Sequence, residues 1–311
     1  MRRTSIWGQQ IRVKVPRTAL GSLSSWKRRV VVGAVLSTLV ISCAGIPSNL
    51  AGSASAGVPT TSSNSATDEV ELVSIPAGEF TMGHNSGYDT LPVRRINLPA
   101  FSIDKYEVSN KRYKRFIDAT GYKVPWSQEP AAAAYAWDWQ KRMYPEGKEN
   151  DPVVLVSWDD AKTFCAWAGK RLPAEAEWEK AARGPKGKPY PWGNEWTKGK
   201  ANTAESGIKQ TAPVGSFKED VSEYGVHDLA GNISEWVEEW FAPYPGNPMT
   251  SYEERNKYRV LRGGSWDYAQ SIANGYHRQY ALPQSQMVAI GFRCVKSADE
   301  AGGRPPKPQT R

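Results

Sequence analysis

The stretch YGVHDLAGNISEWVEEW, residues 224–240, combines a turn signal with four acidic residues and two tryptophans. Ala-Gly-Asn at 230–232 is typical of a tight turn, because glycine tolerates a positive φ and asparagine hydrogen-bonds its own backbone. Such a turn brings the carboxylates of Asp228 and Glu235 towards each other. Carboxylate and main-chain oxygens are the ligands that Ca²⁺ prefers. The stretch therefore predicts either a calcium site or a solvated acidic turn next to buried tryptophans.

The composition indicates a globular, loop-rich protein. Hydrophobic residues make up 40% of the 311 residues and aromatic residues 11%, which is ample for a core. The 13 tryptophans, 27 glycines and 22 prolines argue against a helical bundle. They favour an irregular backbone held by large aromatic side chains.

The net charge of +8 is concentrated at the N-terminus. Residues 1–42 contain 8 of the 40 basic residues and no acidic residue, so 40 − 8 = 32 basic residues face 32 acidic residues in the remainder. The body of the chain is therefore neutral. This distribution argues against a nucleic-acid partner.

Residues 1–42 have the features of an export signal. Three basic residues at 27–29 precede an apolar run at 30–41 that is too short for a typical transmembrane span. The run ends before Cys43 in a pattern that resembles a bacterial lipobox, in which this cysteine would be lipidated after cleavage. Cleavage after Ala-Ser-Ala at 54–56 and an uncleaved anchor are the alternatives. All three predict an exported domain on the periplasmic or cell-surface side, and the first and third predict a membrane attachment.

The remainder divides into a tether, a domain and a tail. Residues 43–69 are dominated by small and polar side chains, which predicts a flexible tether. We expect the folded domain to span 70–295 and a disordered tail to span 296–311.

Alternating apolar and polar residues predict strands at 69–75, 79–82 and 101–108. Residues 126–148 are rich in alanine and aromatic residues without a clear period, and they predict an ordered loop. Short strands linked by loops are expected for most of the C-terminal half.

Capping residues and apolar periodicity predict three helices. They run from Ser109 or Asn110 to about Gly121, from Ser157 to Gly169, and over 172–183. Pro173 suits the first turn of the third helix, and acidic residues are concentrated in its N-terminal half.

Seven sequence blocks in order resemble the formylglycine-generating enzyme, or sulfatase-modifying factor, family. The resemblance implies a single, loop-rich α+β domain related to C-type lectins over nearly all of 70–295. The blocks are IPAGEFTMG (75–83), DKYEVSN (104–110), VSWDDAKTFCAWAGKRLPAEAEWEKAARG (156–184), YPWGNEW (190–196), GNISEW (231–236), RGGSW (262–266) and IGFRC (290–294).

The resemblance also shows a departure at the catalytic centre. Family enzymes that form formylglycine bind copper(I) through two cysteines shortly after the GGS motif, because Cu(I) prefers thiolates. Those positions are Tyr268 and Ala273 in this chain, and Ser234 stands where these enzymes often have a tryptophan. We therefore expect no formylglycine formation by the copper mechanism.

Cys165 and Cys294 match a family cysteine pair that forms a disulfide, which an exported compartment allows. A two-thiol metal site is the alternative interpretation of this pair.

The family's calcium site implies a structural calcium ion bound by oxygen ligands. The matching residues are Asp228, Gly231, Ile233 and Glu235. A second family calcium site would begin at Asn202 and Thr203, but Ser206 stands where an aspartate is expected, with Glu205 beside it.

The three histidines, His84, His227 and His277, lack the spacing of a metal site. The family's iron-binding relatives, the ergothioneine and related sulfoxide synthases, use a separate histidine-bearing helical domain. Residues 1–69 do not supply one, and no redox metal is assigned.

The residues around the missing cysteines form a candidate pocket. They offer a hydroxyl, three aromatic rings and one cation, and they are Ser265, Trp266, Tyr268, Tyr276 and Arg278. In one interpretation a peptide or small molecule lies against the rings while Arg278 pairs with an anionic group. In the other, Trp266 and Tyr276 belong to the core and Arg278 holds a buried carboxylate.

Two functions are compatible with the sequence. The first is an oxidative modification or maturation factor for another exported protein or peptide. The second is a non-catalytic module that binds a ligand or partner on a lectin-like fold. The first rests on analogy with a largely catalytic family and not on an identified site.

Overall fold

The computed structural model describes residues 70–247 and 256–298. The predicted export signal, Cys43, the tether and most of the predicted tail lie outside the described residues. No helix in these two ranges is long and apolar enough to cross a membrane. The α-helices there are α1 (Asn110–Thr120), α2 (Trp158–Trp167) and α3 (Glu175–Arg183), with short 3₁₀ helices at Tyr88–Thr90, Pro130–Ala134, Ala204–Ser206 and Gln270–Ile272.

Short strands form three small sheets. The strands are β1 (Leu72–Ile75), β2 (Gly78–Met82), β3 (Arg94–Leu98), β4 (Phe101–Asp104), β5 (Ser234–Trp240), β6 (Arg259–Arg262), β7 (Gln279–Ala281), β8 (Ile290–Gly291) and β9 (Val295–Ser297). β1, β4 and β9 form one antiparallel sheet, β2 and β3 form a hairpin, and the third sheet has the order β7-β6-β5-β8, with β5 and β8 parallel.

The first two helices begin and end as the capping residues predict. The hydroxyl of Ser109 accepts from the backbone N–H of Arg112, and Gly121 ends α1 in the left-handed region at φ 72°. The start of α2 is a capping box, in which Ser157 accepts from the N–H of Asp160 and the Asp160 carboxylate accepts from the N–H of Ser157. Each exchange satisfies backbone donors that have no partner within the helix.

Two predicted boundaries were wrong. Helix α3 begins at Glu175, so Pro173 precedes the helix and is not in its first turn. The strand predicted over 101–108 ends at Asp104, whose buried carboxylate accepts from Lys170 Nζ at 2.9 Å. Glu107 also points into the interior, where its carboxylate accepts from Asn232 at 2.7 Å. Two inward side chains three positions apart do not fit the two-residue alternation of a strand.

Two large hydrophobic clusters form the core. One surrounds α1 and α2 and contains Tyr113, Phe164 and Phe292, with the rings of Tyr113 and Phe164 stacked at 5.5 Å. The other joins α3 to the sheets through residues such as Trp178 and Val237. The predicted disulfide is confirmed between Cys165 of α2 and Cys294, which lies between β8 and β9, with Cα atoms 5.7 Å apart.

Replacing both cysteines by serine should lower stability. The disulfide closes a loop across a sequence separation of 129 residues, and the chain-entropy model gives a stabilisation of about 5 kcal/mol for a loop of this size. Guanidinium unfolding of the Cys165→Ser/Cys294→Ser variant should show this loss, while Cys43→Ser serves as the control. An unchanged midpoint in the double variant would contradict the stabilising role.

The stability of the fold should depend on pH through the carboxyl group of Glu239, near the end of β5. Its carboxylate accepts from the N–H of Glu175 at 2.7 Å, and burial raises its pKa to about 7, with a contribution from the Glu175 charge. A carboxyl with a raised folded-state pKa binds more protons when folded, so its stabilisation is present below pH ~4.5 and is lost as pH rises through ~7. The loss is at most about 3.5 kcal/mol, because the pKa rises from 4.5 to about 7 and each pKa unit corresponds to about 1.4 kcal/mol.

Glu239→Gln should flatten this fall while keeping the hydrogen-bond acceptor at the start of α3. Urea unfolding between pH 4.5 and 8 measures the difference between the two slopes. Glu238→Gln, on the same strand, is the matched control for loss of a carboxylate. Parallel profiles for wild type and Glu239→Gln would contradict the assignment.

Candidate functional site

The turn before β5 is built differently from the simple prediction. The positive φ values occur at Asp228 (57°) and Asn232 (63°), and not at Gly231. Gly231 is needed for space, since a Cβ there would stand 2.4 Å from the carbonyl oxygen of Asn202. The N–H of Asn232 donates to that same carbonyl at 2.8 Å. The glycine therefore allows the turn to lie against the 202–212 loop.

The side chain of Asn232 fixes this approach. Its amide nitrogen donates to Glu107 at 2.7 Å, and its amide oxygen accepts from the N–H of Ala212 at 2.9 Å and from the Asn202 amide at 3.1 Å. Asn232 thus joins the turn, the segment after β4 and the 202–212 loop in one buried network.

Asp228 and Glu235 do lie in one region, but Arg293 contacts both of them. Its guanidinium donates from Nε and Nη2 to both oxygens of Glu235, each at 2.7 Å. Nη2 also donates to the main-chain carbonyl of Asp228 at 3.1 Å. Trp178 Nε1 donates to Glu235 Oε2 at 2.9 Å, so one lone pair of Oε1 is the main acceptor capacity left on this carboxylate.

The region carries more buried acid than Arg293 neutralises. Burial and the neighbouring Asp228 and Glu235 charges raise the pKa of Glu107, whose Oε1 has no hydrogen-bond partner among the described residues. Burial raises the pKa of Asp228 to about 6, and burial together with Asp228 raises the pKa of Asp220. A buried excess of negative charge is costly unless a cation or protons offset it.

The donor chemistry of the predicted calcium residues fits a hard cation. In the described ranges no three His, Cys, Asp or Glu side chains are placed to hold a metal ion, so main-chain carbonyls would have to complete such a site. The predicted set of two carboxylates and the carbonyls of Gly231 and Ile233 meets this requirement with oxygen atoms only. Asp228 retains acceptor capacity on its carboxylate, which accepts from the N–H of Gly215 through Oδ2 at 2.6 Å.

The side-chain oxygens at the second predicted calcium position are hydrogen-bonded within the protein. Ser206 donates to the amide oxygen of Asn202 at 2.9 Å, and Thr203 donates to Glu205 at 2.8 Å. Glu205 also accepts from the N–H of Gln270 at 3.0 Å. The side-chain oxygens of Asn202 and Glu205 thus already accept hydrogen bonds from the protein.

The five residues of the predicted pocket fall into two groups. Tyr276 stacks on His84 with ring centres 3.9 Å apart, and the guanidinium of Arg183 lies 5.3 Å from the centre of the Tyr276 ring. Arg278 is buried and donates from Nε and Nη2 to the two oxygens of Glu175 at 2.7 and 3.1 Å. The contacts of Arg278 therefore match the interpretation in which it holds a buried carboxylate.

Arg278 belongs to a buried ion-pair network that the sequence did not indicate. Arg262 donates to Glu175 at 3.0 Å and to Glu179 at 2.7 Å, and Arg183 also pairs with Glu179. Attraction to the carboxylates raises the pKa of Arg262 against the opposing effect of burial. The network ties α3 to β6 and to the segment before β7.

The other group forms a loop after β6. Ser265 is buried and donates to Asp267 at 2.5 Å, and the Trp266 indole nitrogen lies 3.5 Å from the carbonyl oxygen of Val288. Tyr268 is 37% exposed. Burial raises the pKa of Tyr135 and of Tyr268, and the Asp267 carboxylate adds to both shifts. Asp267 therefore lies near both tyrosines, and we add Asp267 and Tyr135 to the group formed by the predicted residues Ser265, Trp266 and Tyr268.

A groove of about 520 Å³ lies beside Trp266, and we name it the Trp266 groove. Ser127, Glu129 and Ala131 form one wall, and residues 284–288 form the other. Its volume is typical of ligand-binding clefts. Sequence reasoning missed it because the two walls are far apart in the chain; Asp267 could have been found from its place between Trp266 and Tyr268.

The positions assigned to the copper thiolates hold side chains without a thiol. Tyr268 reaches solvent, whereas Ala273 is fully buried. Cys165 and Cys294 are bonded to each other. The described residues therefore contain no free thiolate.

The fold and the seven motifs define a single α+β domain of the formylglycine-generating-enzyme type, which is C-type-lectin-like. The chain belongs to the sulfatase-modifying factor family, because the family model described as "Sulfatase-modifying factor enzyme 1-like domain" matches residues 58–298. The predicted family and fold class are confirmed.

Three relatives illustrate the range of the family. The chain is 36% identical to "Formylglycine-generating enzyme" of Streptomyces coelicolor, over 74% of this chain and 90% of that one. It is 34% identical to "Inactive C-alpha-formylglycine-generating enzyme 2" of Bos taurus, over 76% and 90%. The structure of PvdO from Pseudomonas aeruginosa matches with a TM-score of 0.63 at 31% identity, covering 78% of this chain and 100% of that chain.

Proposed function

We propose that this protein is an exported maturation factor that modifies another exported protein or peptide without the copper-dicysteine mechanism of formylglycine formation. The observation that carries the proposal is the replacement of the thiolate positions by Tyr268 and Ala273 in a domain whose two cysteines form a disulfide. The copper mechanism of the family uses two cysteine thiolates as soft ligands for Cu(I), and no thiolate is free among the described residues.

The loop after β6 and the Trp266 groove support a peptide-sized substrate. The groove has the volume of a ligand cleft, and Trp266 lies at its edge against Val288. Asp267, Tyr135 and Tyr268 place titratable groups beside it. A modification would take place at this edge, where bound peptide meets these groups.

A non-catalytic binding module is the second candidate. Arg278, the one cation of the predicted pocket, is engaged by Glu175. The Bos taurus relative carries the word "inactive" in its name. For this candidate the groove would bind a partner without changing it.

The two candidates differ in their products. Incubation of the purified chain with exported proteins from the same cells, under oxygen, should yield a mass change in one of them if the first candidate is right. Binding of a partner with an unchanged mass would support the second.

The chain should neither bind copper(I) tightly nor form an aldehyde. In a Cys43→Ser background, which removes the thiol outside the described residues, a chromophoric Cu(I) chelator should keep all the metal. A sulfatase-type cysteine peptide should keep its mass. The Streptomyces coelicolor relative is the matched positive control for both assays. Stoichiometric Cu(I) uptake with conversion of the peptide to an aldehyde would overturn the proposal.

Export and anchoring remain part of the proposal. The basic and apolar segments at 27–41 and the lipobox-like Cys43 support secretion followed by lipid attachment. Mass spectrometry of the N-terminal peptide from membrane fractions identifies the processed residue. A mature chain that begins at Gly57 would replace lipidation by ordinary cleavage.

We also propose that Asp228, Gly231, Ile233 and Glu235 hold a structural calcium ion. The ion would offset the negative charge of these carboxylates in a buried region, where burial is the main cause that raises the pKa values of Glu107 and Asp228. A ligand that binds only the folded state at 100 times its Kd stabilises by about 2.7 kcal/mol. For a domain of this size that corresponds to a rise in melting temperature of roughly 5–10 °C.

Calcium added to chelator-treated protein should therefore raise the melting temperature in a scanning calorimeter. Asp228→Ala should lose the rise, because a charged ligand is removed, whereas Asp228→Asn should keep part of it through its neutral oxygen. Ser206→Ala, at the second position, is the control and should respond like wild type. Equal melting temperatures with calcium and with chelator would remove the metal assignment.

A further inference from the structure

The Trp266 groove and the loop beside it contain no basic residue. The segments that form this region are 126–136, 201–208, 263–276 and 282–291, and none contains Lys, Arg or His. They contain three acidic residues, Glu129, Glu205 and Asp267. The arginines that contact the end of this region at Gly275 and Tyr276, Arg262 and Arg183, are themselves paired with Glu179, so the region offers negative charge to a ligand.

Contacts show that these segments meet. The Trp266 indole lies against Val288 of the groove wall, and the N–H of Ala204 donates to the carbonyl of Tyr268 at 2.9 Å. Tyr135 and Val288 pack against the same small hydrophobic cluster as Ala132. Asp267 contributes to the pKa of both Tyr135 and Tyr268.

The three carboxylates are held without a cation. Asp267 accepts from Ser265, and Glu205 accepts from Thr203 and from the N–H of Gln270. Hydrogen bonds lower the pKa of Glu205 against burial, and no cation contributes to that shift. Among the described residues, Glu129, Glu205 and Asp267 form no salt bridge.

Apolar side chains border the same region. Met287 lines the groove and is 51% exposed, and Trp126, which precedes the groove residue Ser127 in the chain, is 48% exposed. Large exposed aromatic and thioether groups are typical of surfaces that bind a partner. The region therefore combines apolar contacts with unpaired negative charge.

We propose that the Trp266 groove binds a cationic peptide segment of the exported partner, with Lys or Arg side chains on either side of an apolar residue. This inference rests on the proposed function and adds the chemical class of the substrate. The apolar residue would lie in the groove between Ala131 and Met287. Flanking cations would reach Glu129 at one end and Asp267 and Glu205 at the other.

Charge complementarity selects this occupant over an acidic one. An acidic segment would bring like charges against three carboxylates that already lack a partner cation, and such a juxtaposition opposes association. A neutral segment would gain the apolar contacts alone.

Fluorescence anisotropy with three labelled peptides tests the proposal on the full chain. One peptide has the core Arg-Leu-Phe-Arg, and the others have Gln or Glu in place of both arginines. Two exposed ion pairs should make the cationic peptide bind roughly tenfold tighter than the Gln peptide at low salt. The preference should fall in 0.5 M NaCl, because the screening length shortens to a few ångströms.

Substitutions identify the carboxylates responsible. Glu129→Gln, Asp267→Asn and Glu205→Gln should each weaken binding of the cationic peptide about two- to fivefold and leave the Gln peptide unchanged. Glu79→Gln is the matched control, since Glu79 pairs with Arg95 in the β2–β3 hairpin. Circular dichroism melting curves verify that each variant folds.

Equal affinity for the three peptides, tighter binding of the Glu peptide, or no binding of the cationic peptide would overturn the inference. The outcome is separable from the proposed function. Modification of a partner at an acidic or neutral segment would contradict only the preference for cationic peptides. Charge-selective peptide binding by a chain that modifies no partner would contradict only the proposed modification.

Discussion

The fully buried guanidinium of Arg293 is the constraint on which the candidate site depends. It pairs with both oxygens of Glu235, and it donates to the carbonyls of Asp104 and Lys105 at 3.2 Å and of His227 at 2.8 Å. One side chain thus connects the end of β4, the turn before β5 and β5 itself. Breaking a buried ion pair by removing one partner costs about 3–5 kcal/mol, because the remaining charge is left uncompensated. The turn, its acidic cluster and the start of β5 therefore form one unit.

Local signals in the sequence predicted local structure well. Ser109, Gly121 and the Ser157–Asp160 capping box define helix ends through hydrogen bonds between residues a few positions apart. The predicted strand over 101–108 failed because Asp104 and Glu107 bind partners 66 and 125 residues away. Alternation along a strand does not contain this information.

For the candidate site, too, local features were predicted and long-range contacts were missed. Resemblance supplied the proposed calcium residues and the missing thiolates, because both follow short motifs. It did not indicate that Arg293 shares Glu235, or that Arg278 pairs with Glu175 across 103 residues. The Trp266 groove also arises from walls that are distant in sequence. Long-range ion pairs and grooves depend on how the elements pack, so they appear only in the structure.

The burial of Ala273 restricts how this domain could acquire metal chemistry by engineering. Its Cα lies 3.0 Å from the position that a Cβ on Gly264 would occupy, and the residue has no exposed surface. A sulfur atom introduced at 273 would press on closely packed backbone, which is destabilising in a filled interior. Two point substitutions, at 268 and 273, would therefore be an unfavourable starting point for a redesigned oxidase, because the second sulfur would have to enter a filled interior.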